Sequence, residues 1–405
     1  MATTIVVIGG GPAGVWAAIE AKRRDATAEV VLVTDEAREP YEKPPLSKTV
    51  LLGKARPDDA LIAGKSGLAA HHVALKTNAR CNAIDRAGRK VITVAGALPY
   101  DALVIATGSL MREMPLLPIG MKRVHYLRTD VDALSLKADL ATCKHIVVIG
   151  AGLIGLEVAA SAIELGVKPT VIELAPRVMA RMCDEETGAF VQSEHQRRGV
   201  DIRLNTAITQ VAPQTDGRIA LKTSAGDELS ADLVVVGTGV KPNDALAAAA
   251  GLTVQDGIVV DEQCRTSDPA IFAAGDVARF PGPHGLARLE NWRHGQDHGA
   301  IAGRNAAGAN DAYRAVPSCW TEQYDLYIQA VGWMVDRPRR VKRPMAGKSL
   351  LSLELDGALL SYAVGVNAQK DLAAVRRLIE RRIPVDAAAL ADPDVPFAVM
   401  LKAKA

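Results

Sequence analysis

Glycine spacing at the start of the chain indicates a nucleotide-binding turn. The apolar run Ile5-Val6-Val7-Ile8 leads directly into Gly9, Gly11 and Gly14, with Ala13 inside the same turn. In such a G-x-G-x-x-G turn the first glycine permits a tight turn, the second lets the backbone approach a pyrophosphate, and the third lets the following helix pack on the strand. The pattern therefore predicts a pyrophosphate at the N-terminus of that helix.

An acidic residue completes this pattern. A second apolar run, Val30-Val31-Leu32-Val33, is followed by Thr34 and Asp35. Asp35 therefore stands where a dinucleotide-binding fold places the acceptor for a ribose hydroxyl. The strands, the turn and the acid together predict a dinucleotide site.

The same set of features recurs in the middle of the chain. The strand-like run 145–149 precedes a second glycine turn, and a further apolar strand, 169–172, ends in Glu173. This turn contains Gly150, Gly152, Ile154 and Gly155. Because each fingerprint needs strand, glycines, helix and acid together, two of them are far more specific than one. Two dinucleotides on one chain indicate that electrons move between them.

Further strand ends carry small or acidic residues. The buried run 102–106 ends in Thr107 and Gly108, a turn small enough for close backbone approach. The run 233–236 ends similarly at Gly239, and here we expect the chain to return to the first domain. The run 270–274 delivers Asp276 to a strand end, where α/β sheets bind ligands; a solvated turn aspartate is the alternative.

A proline-rich segment, Glu39 to Lys48, leaves two interpretations open. The paired prolines Pro44 and Pro45 predict an extended path before a helix begins at Ser47. The segment is then either a rigid connector capped by serine or a device that holds Lys48 beside the cofactor.

Two histidines on a predicted helix, 292–307, have metal-ligand spacing without the rest of a metal site. His294 and His298 lie four residues apart on one face, but the glutamate of the zinc-protease motif and a third ligand are missing. We interpret them as polar packing groups and predict no metal.

Composition excludes several classes of protein. The 405 residues contain 48 Lys and Arg against 46 Asp and Glu, a balance that argues against nucleic acid as a partner. No signal-type segment or long apolar span is present, so we expect a cytoplasmic protein without membrane contact. The five cysteines are scattered and unpaired in sequence, as in a reducing compartment.

These patterns predict an α/β fold with two Rossmann-like dinucleotide-binding domains and a C-terminal α+β domain. In the last domain we expect strands at 327–331, 350–355 and 358–364 and a helix at 370–382. The predicted boundaries are 1–112 with 241–315 for the first domain, 113–240 for the second, and 316–405 for the third.

The chain closely resembles the FAD-dependent, NADH-using ferredoxin reductases of bacterial oxygenase and cytochrome P450 systems. The resemblance covers essentially the whole length, and its most specific part is Pro40-Tyr41-Glu42-Lys43-Pro44-Pro45-Leu46-Ser47-Lys48. Also similar are the two fingerprints and the segments Leu103–Gly108, Ala273–Asp276 and Trp320–Gln323.

The resemblance implies that the two Rossmann-like domains are arranged as in glutathione reductase, with FAD at the first fingerprint and NADH at the second. It also implies that Lys48 lies beside the flavin and close to Glu157 as the catalytic pair. Glu173 then favours NADH over NADPH, because it accepts from a ribose hydroxyl and repels a 2′-phosphate. The implied FAD contacts are Gly9, Gly11, Ala13, Gly14, Asp35, Lys48, Cys81, Thr107, Gly108, Arg128, Asp276, Trp292 and Trp320. The implied NAD contacts are Gly150, Gly152, Ile154, Gly155, Glu173 and Gly239.

Two positions depart from the family pattern. Lys43 replaces the arginine common before the two prolines, which keeps the charge but loses the planar fork. The chain has Ser318-Cys319-Trp320 where the family often carries an aromatic-rich Trp-x-Trp around the second tryptophan. The second departure bears on the acceptor-facing surface more than on the chemistry.

The implied function is hydride transfer from NADH to FAD, followed by single-electron transfer to an acidic [2Fe–2S] ferredoxin that feeds a Rieske oxygenase or cytochrome P450. The alternatives are a rubredoxin reductase, another NADH-dependent FAD oxidoreductase, or an NADH-responsive interaction protein resembling apoptosis-inducing factor. Disulfide reductases and peroxidases need cysteine beside the flavin, and residues 36–60 contain none. A monomer and a homodimer both remain open. Two basic clusters are docking candidates or solvated faces: 337–343 and 376–382.

Overall fold

The computed structural model describes residues 2–314 and 316–402. The α-helices are α1 (Pro12–Arg24), α2 (Asp130–Leu140), α3 (Leu153–Glu164), α4 (Glu185–Arg197), α5 (Ala245–Ala249), α6 (Trp292–Ala306), α7 (Gln369–Glu380), α8 (Ala387–Ala391) and α9 (Phe397–Met400). Short 3-10 helices are Pro44–Ser47, Pro57–Asp59, Leu68–His71 and Gly275–Val277.

The strands before residue 112 are β1 (Thr4–Ile8), β2 (Glu29–Val33), β3 (Ala74–Lys76), β4 (Cys81–Asp85), β5 (Lys90–Thr93), β6 (Gly96–Pro99), β7 (Ala102–Ile105) and β8 (Ser109–Met111). The strands between residues 112 and 239 are β9 (Val124–His125), β10 (His145–Ile149), β11 (Lys168–Ile172), β12 (Asp201–Arg203), β13 (Ile208–Pro213), β14 (Ile219–Thr223), β15 (Glu228–Ala231) and β16 (Leu233–Val236). The later strands are β17 (Val240–Pro242), β18 (Ile258–Val259), β19 (Ile271–Ala273), β20 (Ala278–Gly282), β21 (Gly285–Ala287), β22 (Ser318–Gln323), β23 (Leu326–Gly332), β24 (Arg339–Lys342), β25 (Leu350–Asp356) and β26 (Leu359–Val366).

The chain divides into two compact units. Unit 1 comprises the chain up to Pro44, Arg56–Leu110 and the segment that begins at Val240. Unit 2 comprises Pro45–Ala55, Met111–Gly239 and the segment that begins at Val316. The predicted three-domain boundaries remain a prediction.

Unit 1 is built on a parallel sheet in the order β19-β7-β1-β2-β3. The central strand is buried throughout Ile5 to Ile8, as expected for a parallel strand covered on both faces. Ile8 is in register with Val33 of β2 and Ile105 of β7. The turns that follow these three strands therefore leave the same edge of the sheet, which brings the glycine turn, Asp35 and Thr107 to one side.

Helices α1 and α6 pack against each other in unit 1, and glycines on α6 permit the close approach. A Cβ at Gly299 would lie 2.1 Å from the carbonyl oxygen of Ala13, and one at Gly303 would lie 2.0 Å from that of Ala17. The two backbones therefore touch, which fixes the position of α1 and of the turn before it.

Residues 71–98 alternate apolar and polar groups, which predicts short antiparallel strands, and the structure confirms this only in part. Strands β4, β5 and β6 make the predicted antiparallel meander. In contrast, β3 pairs in parallel with β2 and extends the main sheet of unit 1. The alternation of apolar and polar residues alone does not distinguish these two partners.

Unit 2 contains a second parallel sheet, in the order β12-β11-β10-β16-β9. Ile149 of β10 is in register with Ile172 of β11 and Val236 of β16. The expectation that the chain returns to the first domain at residues 233–239 is wrong for the strand itself. The run Leu233–Val236 completes the second sheet, and unit 1 resumes only at Val240.

The C-terminal part of unit 2 is an antiparallel sheet in the order β22-β23-β26-β25-β24. Its apolar face packs against α7, whose buried residues are Leu372, Val375 and Leu378. The strands and helix lie within a few residues of their predicted positions, because period-2 and helical patterns are strong here. This α+β arrangement and the two parallel sheets confirm the predicted fold class.

Candidate functional site

The first glycine turn has the geometry of a pyrophosphate cradle. Gly9 has φ +118°, and a Cβ there would lie 2.1 Å from the carbonyl oxygen of Ala106. A Cβ at Gly14 would lie 1.8 Å from the carbonyl oxygen of Gly9, so the fold itself requires both glycines. Gly11 differs, because nothing lies within 4 Å of its Cβ position.

Gly11 is also the N-cap of α1, and no side chain accepts a hydrogen bond from the first turn of that helix. The open space beside Gly11 and the uncapped N–H groups match the needs of a dinucleotide phosphate. Ala13 and Gly14 are buried at this helix start. Unit 1 therefore fits the adenine dinucleotide that the first fingerprint predicts.

Asp35 is exposed and lies two residues beyond the end of β2. Its carboxylate makes no hydrogen bond or ion pair within the described part of the chain, so its acceptor oxygens are available to a ribose. The neighbouring Glu36 is engaged differently: it accepts from Tyr41 Oη at 2.6 Å and from Lys43 Nζ at 2.6 Å. Lys43, the departure from the family pattern, is thus held within its own segment.

The other strand ends of unit 1 are joined by hydrogen bonds. Thr107 Oγ1 donates to the carbonyl oxygen of Asn243 at 2.8 Å, and Asn243 N donates to the carbonyl oxygen of Gly108 at 2.9 Å. Ser109 Oγ donates to Asp276 Oδ2 at 2.8 Å. Asp276 lies on the 3-10 turn that follows β19, at the edge where the sequence placed it.

Trp292 is half-buried at the first position of α6, where its indole N–H donates to Glu42. Burial raises the pKa of the Glu42 carboxyl, and the bond from Trp292 opposes that shift. Cys81, at the start of β4, is a weak thiolate former because burial raises the pKa of its thiol to about 11.

The second glycine turn repeats this geometry in unit 2. Gly150 has φ +103°, and a Cβ at Gly155 would lie 2.0 Å from the carbonyl oxygen of Gly150. Gly152 is the uncapped N-cap of α3, with nothing within 4 Å of its Cβ position. Ile154 follows it with an exposed side chain. The match with the first turn indicates a second pyrophosphate cradle.

Glu173 follows β11 and is held in place by two backbone groups. It accepts from Ala151 N at 2.6 Å and from Ala175 N at 2.8 Å. The first of these bonds ties the carboxylate to the glycine turn, at the place where a ribose acceptor is needed. Gly239, with φ +100°, follows β16 at the same sheet edge.

The proline-rich segment brings Lys48 to Glu157 within unit 2. Lys48 Nζ lies 3.0 Å from Glu157 Oε1, and both side chains are largely buried. Thr321 Oγ1 donates to the same carboxylate oxygen at 2.6 Å, and Ser47 Oγ donates to the other one. Glu157 therefore receives three side-chain hydrogen bonds.

The prediction that a helix begins at Ser47 is wrong. A 3-10 helix already starts at Pro44, because the fixed φ of proline suits a first helical turn, and it ends at Ser47. The Ser47 hydroxyl binds Glu157 instead of capping a helix. Ser161 Oγ on α3 donates to the carbonyl oxygen of Ser47 at 2.8 Å and fixes the segment.

Two further predicted flavin contacts lie in unit 2. Arg128 directly precedes the N-cap of α2, and its backbone N–H donates to Asp132 Oδ2 at 3.0 Å. Trp320 is half-buried on β22, next to Thr321. The predicted cofactor roles of these residues remain predictions.

His294 and His298 are buried in an aromatic cluster of unit 1. The ring of Phe280 stacks on His294 at 5.0 Å, and His294 Nδ1 lies 2.8 Å from Tyr313 Oη. His298 Nδ1 accepts from Gly275 N at 3.3 Å. Burial lowers the pKa of His294 to about 3 and that of His298 well below its ordinary value. Neutral, packed imidazoles agree with their interpretation as packing groups.

Across residues 2–314 and 316–402, no three potential ligands are grouped to hold a metal ion. Within the same residues, every helix is too short or too polar to cross a membrane.

Two nucleotide cradles on one chain define a flavin- and nicotinamide-dependent oxidoreductase. The family model for pyridine nucleotide-disulphide oxidoreductases matches residues 3–299, and the model for the reductase C-terminal domain matches residues 318–401. The chain belongs to the FAD-dependent NADH:ferredoxin reductases within this family. This confirms the predicted family, the enzyme class and the cofactors FAD and NADH.

Two curated relatives resemble the chain over nearly its full length. The ferredoxin–NAD(+) reductase component of the anthranilate 1,2-dioxygenase system from Burkholderia cepacia is 39% identical over 409 residues, with 99% of this chain and 100% of that protein covered. Rhodocoxin reductase from Rhodococcus erythropolis is 37% identical, with coverages of 96% and 92%.

A solved structure shares the fold. The covalent complex of putidaredoxin reductase and putidaredoxin contains a chain with TM-score 0.94 and 33% identity to this one, covering 99% of both.

Several residues that position the site have little recognisable signal in the sequence. The Ser47 hydroxyl is not the predicted cap, and the sequence predicts no role for Thr321, Ser109 or Asn243. The only signal for Thr321 is its place inside the Trp320–Gln323 motif. Hydrogen bonds between segments more than 100 residues apart leave no periodic pattern in a sequence.

Proposed function

We propose that this protein is the reductase component of an oxygenase system, passing electrons from NADH through FAD to a [2Fe–2S] ferredoxin. The observation that carries the proposal is the presence of two dinucleotide cradles and a reductase-type C-terminal domain on one chain. The ferredoxin then supplies a terminal oxygenase, either a Rieske dioxygenase or a cytochrome P450. The named relatives support this acceptor.

FAD, when bound, takes two electrons from NADH and releases them one at a time, which nicotinamide alone does not do. The residues of this chain bind and orient the two cofactors. In the proposal, the uncapped start of α1 holds the FAD pyrophosphate and Asp35 accepts from the adenosine ribose. The remaining proposed FAD residues are Gly9, Ala13, Gly14, Lys48, Cys81, Thr107, Gly108, Arg128, Asp276, Trp292 and Trp320.

NADH takes the second cradle in this proposal. Gly152 allows the backbone to approach the pyrophosphate, and Glu173 accepts from the adenosine ribose. Because the Glu173 carboxylate is fixed by two backbone N–H groups, it does not move away from a 2′-phosphate. Gly150, Ile154, Gly155 and Gly239 complete the proposed NAD residues.

Lys48 and Glu157 form the proposed catalytic pair. The ammonium is held by a buried carboxylate that is itself fixed by Ser47 and Thr321. A rigid, desolvated charge pair of this kind orients and tunes the electrostatics of a bound flavin without moving during the reaction.

The chemistry needs no cysteine. Burial raises the pKa of the thiols of Cys81, Cys143 and Cys319 to about 11 and that of Cys183 to about 12. Burial also raises the pKa of the Cys264 thiol. These thiols are protonated at physiological pH and are poor nucleophiles. A disulfide reductase or peroxidase mechanism is therefore disfavoured.

Fewer basic residues of the cluster at 337–343 are available to dock an acidic ferredoxin than the sequence predicts. Arg343 is buried, donates to the carbonyl oxygens of Leu390, Pro393 and Val395, and serves packing. Arg340 pairs with Glu354 and Lys342 with Glu186. The cluster at 337–343 is left with exposed Arg337 and Arg339 as proposed docking groups.

Cytoplasm is the proposed compartment, because the reaction draws on the cytoplasmic NADH pool. A monomer and a homodimer both accommodate the proposal.

Steady-state turnover distinguishes the proposed reductase function from the alternatives. The holoenzyme should oxidise NADH rapidly with a [2Fe–2S] ferredoxin present and slowly with rubredoxin. A long-lived NADH-reduced complex that reduces neither carrier would support the interaction protein instead.

A further inference from the structure

A continuous chain of hydrogen bonds runs through the interior of unit 2 and ends at Glu157. Its inner members, Thr321, Gln323 and His195, are each fully buried. Its outer end is Tyr324, which is half-buried. The four bonds link the end of β22, the turn that follows it and helix α4 to the carboxylate on α3.

The direction of the outer bonds follows from the chemistry of Gln323. His195 Nε2 lies 2.8 Å from Gln323 Oε1, which accepts only, so Nε2 carries the hydrogen. The other nitrogen of the neutral ring, Nδ1, is then an acceptor. It lies 3.2 Å from Tyr324 Oη, whose hydrogen it receives.

The inner bonds continue in the same direction. Gln323 Nε2 donates to Thr321 Oγ1 at 3.1 Å. The threonine hydroxyl has one hydrogen, which it gives to Glu157 Oε1 at 2.6 Å. Every bond in the chain therefore donates toward the carboxylate, the arrangement in which successive hydrogen bonds polarise and strengthen one another.

The charge state of His195 keeps this direction constant. Burial, with a smaller contribution from the guanidinium of Arg198, lowers the pKa of His195 to about 4, against the opposing effects of Gln323 and Glu194. A protonated ring would carry hydrogens on both nitrogens and lose its acceptor for Tyr324. At neutral pH the ring holds one hydrogen, on Nε2.

The backbone at Tyr324 supports a specific role for the outer end. Tyr324 has φ +57° in the two-residue turn between Gln323 and Leu326, a position that favours Asn, Asp or Gly. A bulky residue is strained in this region of conformational space. The centroid of its ring lies 4.9 Å from that of the His195 ring and 4.3 Å from the guanidinium carbon of Arg198.

We propose that Thr321, Gln323 and His195 are positioning residues, which fix the Glu157 carboxylate so that it holds Lys48 in the orientation required for reduction of the flavin by NADH. This inference rests on the proposed function, in which Lys48 and Glu157 lie beside the flavin. Without the Thr321 hydroxyl, Glu157 loses one of its three side-chain donors, and Gln323 Nε2 loses its oxygen acceptor and keeps only the weak contact with Met179 Sδ at 4.0 Å. The carboxylate then rotates, and Lys48 moves with it.

The first test compares Thr321→Val, which removes only the hydroxyl, with Thr321→Ser, which retains it. In stopped-flow reduction of the holoenzyme by NADH, Thr321→Val should lower the limiting rate of flavin reduction about tenfold. The NADH concentration at half-saturation should stay within about twofold, because Thr321 is not one of the residues proposed to bind NADH. Thr321→Ser should restore the rate. Equal rates in Thr321→Val and the unmodified enzyme would overturn the proposal.

The second test asks whether His195 acts through Glu157. His195→Phe should slow flavin reduction severalfold in the unmodified enzyme and have no further effect in a Glu157→Gln background, because the shared carboxylate is then absent. Additive effects of the two changes would overturn the inference and leave the proposed function intact. A normal rate in Glu157→Gln alone would instead contradict the proposed role of Glu157.

The third test does not depend on activity. Histidine-selective ¹⁵N NMR of the holoprotein, with His195 assigned by its loss in His195→Phe, should show a neutral ring protonated at Nε2 between pH 5.5 and 8.5. In Gln323→Leu, which removes the acceptor of Nε2, that tautomer should lose its dominance. A ring protonated at Nδ1, or one that titrates near pH 6.5, would contradict the direction of the chain.

Discussion

Lys48 Nζ lies 3.0 Å from Glu157 Oε1, although the two residues are separated by 109 positions in the chain. The side chains are 17% and 6% exposed, so both charges have lost most of their water. Burying an ion pair costs about as much free energy as the attraction returns. The pair is therefore weak as a stabilising element, which favours a role in function.

Replacing only one partner of this ion pair should destabilise the fold more than replacing both partners. Lys48→Met leaves a buried carboxylate without its cation and should lower the free energy of unfolding by about 3 kcal/mol. The double variant Lys48→Met/Glu157→Met should recover much of that loss. Urea unfolding of the FAD-free protein measures both.

A second lysine–glutamate pair between the same two segments is the matched control. Lys54 and Glu164 lie 2.8 Å apart, with side chains 61% and 39% exposed. Lys54→Met should cost less than about 1 kcal/mol, because water screens exposed pairs. Equal losses for Lys48→Met and Lys54→Met would show that burial does not govern the first pair.

The two glycine turns offer a paired test of cofactor assignment. Gly11→Ala places a methyl group in space that is empty in the protein and that the FAD pyrophosphate needs, so the variant should fold and lose FAD. Gly152→Ala makes the same change in the second turn and should keep FAD while its KM for NADH rises. Flavin absorbance of the purified variants and steady-state kinetics measure the two effects. Full FAD occupancy in Gly11→Ala would contradict the assignment.

Glu173 should select NADH against NADPH. A 2′-phosphate charge about 4 Å from the carboxylate, at an effective dielectric constant of about 20, is repelled by about 4 kcal/mol. Even if solvent removes half of this, a preference of about 30-fold remains. Glu173→Ala should lower kcat/KM for NADH and bring the ratio of NADH to NADPH closer to one. An unchanged ratio would mean that another residue sets the preference.

Stability should fall as the pH drops below about 6.5, before most carboxylates titrate. His195, with a pKa of about 4, and His294, with a pKa of about 3, stay neutral in the folded protein. In the unfolded chain they titrate near their ordinary value of 6.5, so the unfolded state binds more protons between pH 6.5 and 4. Each such histidine lowers the free energy of unfolding by up to about 1.4 kcal/mol per pH unit over that range.

His294→Gln tests this directly. Its free energy of unfolding, measured by urea at pH 7, 6 and 5, should decline less steeply than that of the unmodified protein, even if the variant is less stable at pH 7. The exposed residue His284 supplies the control, since His284→Gln should leave the slope unchanged. Parallel slopes for all three proteins would contradict a buried neutral His294.

The two cradles could be predicted from sequence because their signals are local. Gly9, Gly14 and Asp35 lie within one βαβ unit, and the contact that requires Gly14 lies inside that unit, whereas Gly9 is also crowded by Ala106 from a distant strand. The partners of Glu157 could not be predicted, because Ser47 and Thr321 reach it only through tertiary packing. The sequence also could not show which sheet Leu233–Val236 joins, because its apolar pattern suits either parallel sheet and its partner strands are set by tertiary packing.

The stoichiometry of electron transfer tests the central claim most directly. The holoenzyme is mixed anaerobically with a limiting amount of NADH and an excess of oxidised [2Fe–2S] ferredoxin from a bacterial oxygenase system. Loss of NADH absorbance and bleaching of the ferredoxin are then recorded together. We predict rapid reduction of two ferredoxin molecules for each NADH consumed. NADH consumption with bleaching of the enzyme flavin but no reduction of the ferredoxin would contradict the account.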